Sequence, residues 1–269
     1  MKYLLISFLI ISLPGLTQVD TLSRGKNQRF IISVSVGTSI PLGDFSFYSK
    51  QDYYAFTLSG DPKIGFSSKI DATCLFSKKH FGITISFLSS INKSWSESEG
   101  YYYRVPTTAM GSGSVVTSYS YETKNWYFNS LLTGIFVEPI HSPQISIRFW
   151  LTGGILQAIS PESKLYQTGY IWVYHGSSWP FTENINQPQM FSYKFALNTG
   201  TNLFIRLNQK FRAILSVDFL ASDAIFKGNI VEDFYDGTND SYYGKKRPIT
   251  ISKRVYMLYC NLGLSYLIY

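Results

Sequence analysis

The sequence predicts an all-β fold, an eight-stranded antiparallel up-and-down barrel, and three observations predict it. Apolar and polar residues alternate with a period of two through successive segments, and the connections between them alternate between short and long. The chain is also rich in aromatics, with 21 Tyr, 20 Phe and 5 Trp. A period of two marks a strand with two unlike faces, and aromatic and β-branched side chains fit a pleated, half-buried surface. Only 15% of the 269 residues are charged against 17% aromatic, a balance that excludes a disordered chain and an ordinary helical one.

Taken in order, the chain opens with Lys2 and an apolar run from Leu4 to Leu13, closed by Pro14-Gly15. This reads as a signal peptide, too short for a membrane helix, which needs about 20 apolar residues. Gly15 and Thr17 supply small residues at alternate positions, which places cleavage between Thr17 and Gln18. No cysteine follows closely, which argues against a lipid anchor.

The first strand sets Ile32, Val34, Val36 and Ile40 against Ser33, Ser35, Gly37 and Ser39. The second sets Ile64, Phe66, Ile70, Ala72 and Phe76 against Lys69, Asp71 and Thr73, and the third Phe81, Ile83, Ile85 and Phe87 against Gly82, Thr84 and Ser86. Trp126 to Val137 is apolar on both parities, so its faces stay unassigned. Next come Ile145, Ile147, Phe149 and Leu151 against Ser146, Arg148 and Thr152. From Ser192 to Leu207 the odd positions are apolar or Thr, and the even ones include Lys194, Asn198, Asn202 and Arg206. Phe211, Ala213, Leu215, Val217 and Phe219 oppose Arg212, Ser216 and Asp218. In the last segment, Val255 to Tyr269, Leu258, Cys260, Leu262, Leu264, Tyr266 and Ile268 oppose Asn261, Gly263 and Ser265.

Ser77 to His80, Glu138 to Gln144 and Asn208 to Lys210 are short connections; 43–62, 92–124, 157–189 and 223–253 are long. In a meander alternate connections lie at opposite ends. One rim then carries tight turns and both termini, the other four large loops, which is the outer-membrane arrangement. Ser114 to Thr123 and Tyr170 to Tyr174 alternate as well, so some strands are expected to continue above the membrane as a β-stalk.

On this pattern the chain resembles the small OmpA- and OmpX-like outer-membrane barrels of the porin family. Asn261-Leu262-Gly263-Leu264-Ser265-Tyr266-Leu267-Ile268 is similar to the C-terminal assembly signal of such barrels, with Asn261, Gly263, Tyr266 and Ile268 in its characteristic places and Tyr269 one residue beyond. Val36 to Phe45 is similar to their first strand. The resemblance implies a signal peptide at 1–17, a periplasmic segment at 18–28 and a barrel domain at 29–269, in a bacterial outer membrane. The partners it implies are outer-membrane lipid, lipopolysaccharide and the barrel-assembly machinery, with an extracellular ligand or envelope protein at the loops. The net charge of +7 suits phosphate-bearing partners, lipopolysaccharide before nucleic acid. A soluble lipocalin-like barrel alternates too, with its apolar set inside.

Eight strands leave an interior just filled by side chains. With the polar set inward, Lys69, Asp71, Arg148, Lys194, Arg206, Arg212 and Asp218 share it, and each aspartate should meet a Lys or Arg. These charges read as a salt-bridged plug or, alternatively, a gated conduit. Cys74 and Cys260 lack ligand spacing and fall on strands flanking the first strand, so no disulfide is expected.

Function should sit in the long loops, whose aromatics include Tyr54, Trp95, Tyr102, Trp172, Trp179 and Tyr243. Such side chains serve binding surfaces or an interfacial girdle. Asp233 to Asp240 lacks the spacing of a calcium loop, and Lys245-Lys246-Arg247 reads as a phosphate-binding rim or solvated charge. His175 beside Ser177 and Ser178 is the sole base near a nucleophile. No cofactor, metal or catalytic residue is expected. The leading expectation is a non-catalytic structural or binding barrel; the alternatives are a component of a secretion or envelope-assembly machinery and a lipid- or peptide-hydrolysing barrel.

Overall fold

The computed structural model describes residues 28–43, 62–76, 80–94, 113–142, 144–173, 177–236 and 241–268. The described residues form an all-β fold, with antiparallel pairing throughout. Eleven strands are described: β1 (Gln28–Leu42), β2 (Pro62–Phe76), β3 (Phe81–Ser94), β4 (Gly113–Thr123), β5 (Trp126–His141), β6 (Ile145–Ile159), β7 (Ser163–Val173), β8 (Ser177–Gln187), β9 (Phe191–Arg206), β10 (Phe211–Asp236) and β11 (Ser241–Ile268). Their order is β11-β1-β2-β3-β5-β6-β9-β10-β8-β7-β4, with a further pairing of β11 to β10.

The eight segments that alternate in the sequence are β1, β2, β3, β5, β6, β9, β10 and β11. The other three, β4, β7 and β8, arise in the stretches 92–124 and 157–189, where the sequence predicts long loops. Ser114 to Thr123 lies in β4, and Tyr170 begins the last part of β7. β10 and β11 likewise run far past their expected ends, into the stretch 223–253, and pair without a break from Phe211↔Tyr266 to Asp236↔Ser241 as an antiparallel hairpin. β8 joins the distal part of that hairpin at Val231↔Asn186. The three added strands and the distal hairpin thus build a projecting sheet, β4-β7-β8-β10-β11.

Burial follows the dyad. Val34, Val36, Ile135, Leu151, Phe195, Leu197, Leu262 and Leu264 are each about half exposed or more, while Ser33, Ser35, Lys69, Thr152, Asn198, Asp218 and Asn261 are buried. This is the reverse of a water-soluble sheet. β5, whose parity the sequence leaves open, buries Trp126, Phe128, Ser130, Leu132, Phe136 and Glu138 and exposes Leu131, Ile135 and Val137.

The rule switches along β10. From Phe211 to Phe219 its outward positions are apolar and its buried ones include Ser216 and Asp218. Beyond Leu220 the buried positions are Ala224, Phe226 and Ile230, and the outward ones include Asp223, Lys227 and Asn229. β11 changes at the matching level, from outward Leu258 to Ile268 with buried Asn261 and Ser265, to outward Arg254 and Lys246 with buried Val255 and Ile251. Asp223↔Arg254 is the first charged outward pair of the hairpin above the apolar stretch.

Candidate functional site

Charged side chains are brought together on the buried face at the level of Asp218. Lys69 of β2 lies 3.4 Å from Asp71 on the same face and 3.0 Å from Asp218 across the interior. Asp71 accepts a hydrogen bond from the Ser86 hydroxyl at 2.5 Å, and Asp218 accepts from Ser216 at 2.7 Å and Asn198 at 3.4 Å. The Lys69 ammonium also sits 4.2 Å from the Trp150 ring centre. Both aspartates therefore meet the same lysine.

A second group lies toward the short turns. Arg148 of β6 pairs with Glu138 of β5 at 3.1 Å, both side chains almost fully buried. Its guanidinium stacks between Phe136 at 4.2 Å and Phe204 at 4.6 Å, a cation held by two ring faces as well as a carboxylate. Arg212 is half-buried and donates to the Ser146 hydroxyl at 3.3 Å. Lys69 and Arg148 supply two positive charges against three from Asp71, Asp218 and Glu138, and Arg212 brings the sum to zero. Buried ions are tolerated when compensated in this way.

Of the seven charges expected inside, Lys69, Asp71, Arg148 and Asp218 are buried. Lys194 is half-buried at the loop end of β9, opposite Leu156. Arg206 is exposed where β9 ends, its Nε donating to the Asn208 carbonyl at 3.1 Å. The sequence reading places Glu138 in a turn; β5 continues through it and makes it the partner of Arg148. Its signal was available, because Glu138 continues the even parity of Trp126, Phe128, Leu132 and Phe136.

Above the Lys69 group the buried face becomes apolar. Leu88, Trp126, Phe128, Leu132, Leu156, Met190, Leu220, Phe226, Val255, Met257 and Tyr259 belong to one cluster that closes over it. Trp126 stacks parallel to Phe128 and edge-on to Phe226. Between the two charge groups a void of only about 10 Å³ is lined by Lys69, Asp71, Arg148, Trp150 and Asn202.

At the C-terminal strand, Asn261 is buried and accepts a hydrogen bond from Ser67 at 2.6 Å. Gly263 sits where a Cβ would lie 2.1 Å from the Val34 carbonyl oxygen, so the approach of β11 to β1 requires glycine there. Tyr266 and Ile268 point outward, and the Tyr266 ring lies 5.2 Å from Phe211.

The projecting sheet carries the remaining aromatics. Trp179 and Tyr243 are exposed, Trp172 lies in β7 opposite Ser178, and Tyr235 and Tyr242 pack at 4.9 Å. Leu165, Ile185 and Ile230 form its own small core, joined to the larger one through Ile249. At its base Lys124 donates to Glu162 at 2.6 Å, which holds the Glu162 carboxyl below and the Lys124 ammonium above their ordinary ranges. Tyr54, Trp95, Tyr102, His175, the N-terminal segment before Gln28 and Tyr269 lie outside the described residues. Among the described residues no group of three or more His, Cys, Asp or Glu is arranged to hold a metal ion.

No family model matches the chain, and no curated protein matches it in sequence. Solved structures match it at low similarity. Neisserial surface protein A matches at 10% identity over 88% of this chain and 96% of its own, with a TM-score of 0.41. Ail, the attachment invasion locus protein of Yersinia pestis, matches at 11% identity over 90% and 99%, with a TM-score of 0.42. A major outer membrane protein of Thermus thermophilus matches at 10% identity over 90% and 99%, with a TM-score of 0.40. No residue's role is carried over from these matches.

Proposed function

We propose that the chain is an integral outer-membrane protein whose strands β1, β2, β3, β5, β6, β9, β10 and β11 close into an eight-stranded membrane-spanning barrel. The observation that carries this reading is the switch along β10 and β11. Up to Leu220 the outward face of this strand pair holds no charge while Ser216, Asp218, Asn261 and Ser265 are buried beside Ile214 and Met257; beyond it Asp223, Lys227, Lys246 and Arg254 face outward and Ala224, Phe226, Ile230 and Ile251 are buried. A single solvent cannot favour both arrangements. Hydrocarbon around the first part and water around the second favour each where it occurs.

Closure is supported by the pairings, which run from β11 through β1 and onward to β10 and return to β11. The outward positions 30–40, 64–76, 81–91, 127–137, 145–157, 191–205, 211–221 and 256–268 hold no charged residue on any of these strands. From Phe211 to Ala221 the backbone advances about 33 Å, or roughly 25 Å of height at a tilt of about 40°, the span of an outer-membrane apolar band. Phe211 with Tyr266 and Phe219 with Tyr256 place aromatic pairs at either end of it.

In this reading the interior is a salt-bridged, aromatic-packed plug rather than a conduit, and the role is non-catalytic. The projecting sheet, with exposed Tyr166, Tyr170, Trp179, Tyr242 and Tyr243, is the surface offered to an extracellular ligand or envelope protein. Its membrane partners are outer-membrane lipid and lipopolysaccharide, and Asn261 to Ile268 is the segment presented to the barrel-assembly machinery. Fractionation tests the reading. The protein should stay with the outer membrane through carbonate extraction and migrate differently on SDS gels before and after heating. Release into the soluble fraction refutes it.

A further inference from the structure

A groove of about 500 Å³ opens on the outer side of the molecule, lined by Gln189, Met190, Phe191, Lys227, Asn229 and Lys246 among others. The topology creates it. β10 leaves β9 at Ser222↔Ala196 and meets β8 only at Val231↔Asn186, so the intervening stretch of β10 runs beside the crossing from β8 to β9. There the Ile225 N–H donates to the Ser192 hydroxyl at 2.8 Å in place of a ladder bond. A side chain on Gly228 would lie 2.6 Å from the Met190 sulfur, so the floor is closely packed.

The chemistry of the groove is two-sided. Lys227 and Lys246 are exposed on its upper part, and neither has a carboxylate partner among the described residues, whereas the neighbouring Arg247 is taken by Glu232 at 2.9 Å. Directly below, Phe191, Tyr193 and Phe195 form an outward column on β9 that is 48%, 57% and 66% exposed and joins the apolar band. Two unpaired cations over an aromatic column at the water boundary suit an amphiphile with a phosphorylated head. The volume lies within the range of small-molecule sites, about 300–1,000 Å³, and far exceeds a bare phosphate.

We propose that this groove binds the phosphorylated sugar headgroup of an outer-leaflet glycolipid. Lys227 and Lys246 take the phosphate as point charges, Asn229 and Gln189 serve the sugar hydroxyls, and an acyl chain lies along Phe191, Tyr193 and Phe195. The proposal rests on the membrane-spanning reading above.

The test uses the full chain inserted into phosphatidylcholine vesicles doped with a bis-phosphorylated disaccharide glycolipid. The protein is extracted in mild detergent and its retained lipid measured by mass spectrometry. Lys227→Ala and Lys246→Ala should each lower retention about fivefold and the pair roughly 25-fold, the scale for lysines near an anionic surface. Lys164→Ala with Lys210→Ala should leave it unchanged. Retention of the dephosphorylated glycolipid or of phosphatidylglycerol at the same level overturns the proposal, as does protection of Lys227 from acylation by inorganic phosphate alone. Heat-dependent gel mobility of each variant separates the two ideas. Normal insertion with unchanged retention in the double variant overturns the groove alone, and failure of the parent chain to insert overturns the membrane reading.

Discussion

Replacing Lys69 with methionine keeps most of the side-chain volume and removes the ammonium that Asp71 and Asp218 share at 3.4 Å and 3.0 Å. The two carboxyl groups stay where they are, 9% and 0% exposed, held by Ser86, Ser216 and Asn198. Their hydrogen bonds survive in part; their charge does not find another ammonium. Removing one partner of a buried ion pair costs about 3–5 kcal/mol. Two carboxylates are orphaned here, so the upper part of that range is expected. With a urea dependence of about 2 kcal/mol per molar, the unfolding midpoint should fall by roughly 2 M. Reversible urea unfolding in short-chain phosphatidylcholine vesicles, followed by tryptophan fluorescence and by heat-dependent gel mobility, measures it. The triple variant with Asp71→Asn and Asp218→Asn removes the uncompensated charge and should recover more than half of the loss. A Lys69→Met protein within about 1 kcal/mol of the parent, or a triple variant no more stable than the single one, refutes the reasoning.

Leu151→Arg tests the apolar band directly. Leu151 is 56% exposed, so in water the change is nearly neutral, whereas at the bilayer midplane it should cost about 2–4 kcal/mol in the same assay. Cys74 sits opposite Phe30 and Cys260 opposite Thr38 on the two sides of β1, about 27 Å apart along it, so gel mobility should not depend on reductant. Glu162 should titrate below an ordinary glutamate and return toward it in Lys124→Ala. Its pairing stabilises the fold above the ordinary carboxylate range and is lost as pH falls through the lowered folded value. Carbon-13 shifts of the Glu162 carboxyl follow this. Gly263→Val should force β11 from β1, because the Cβ would lie 2.5 Å from that of Ser35, and should lower the yield of heat-sensitive folded protein.

The alternation that made eight strands legible also placed Lys69, Asp71, Arg148 and Asp218 on one face, since a period of two needs no tertiary information. It failed where the environment changes. Past Leu220 the apolar residues of β10 move to the other parity, so a reader following one solvent sees the pattern end, though the ladder continues to Asp236. Of β7 only the end from Tyr170 was legible, and its first part and β8 hid for a related reason: they bury Leu165, Gln167, Phe181, Ile185 and Gln187, a mixed set without clean contrast. Arg206 obeys the inward parity but sits where its strand stops, and parity carries no information about ends. Trp126 to Val137 resisted assignment because its buried face is apolar as well: Trp126, Phe128 and Leu132 belong to the apolar cluster, and Phe136 packs against a charge. Phe136 carries the Arg148 guanidinium, a role that hydropathy cannot register.

The order in which the strands attach has a consequence for when the molecule can be recognised. β4 is held by β7, β7 by β8, and β8 by the distal half of β10, which is itself paired along its whole length with β11. The outermost sheet, although encoded in the middle of the gene product, has nothing to join until the last strand pair is laid down. A chain stalled or cut before Phe211 would keep all three strands and display none of them. Anything that recognises the sheet thereby reads whether β10 and β11 have paired, and a half-made molecule is silent to it.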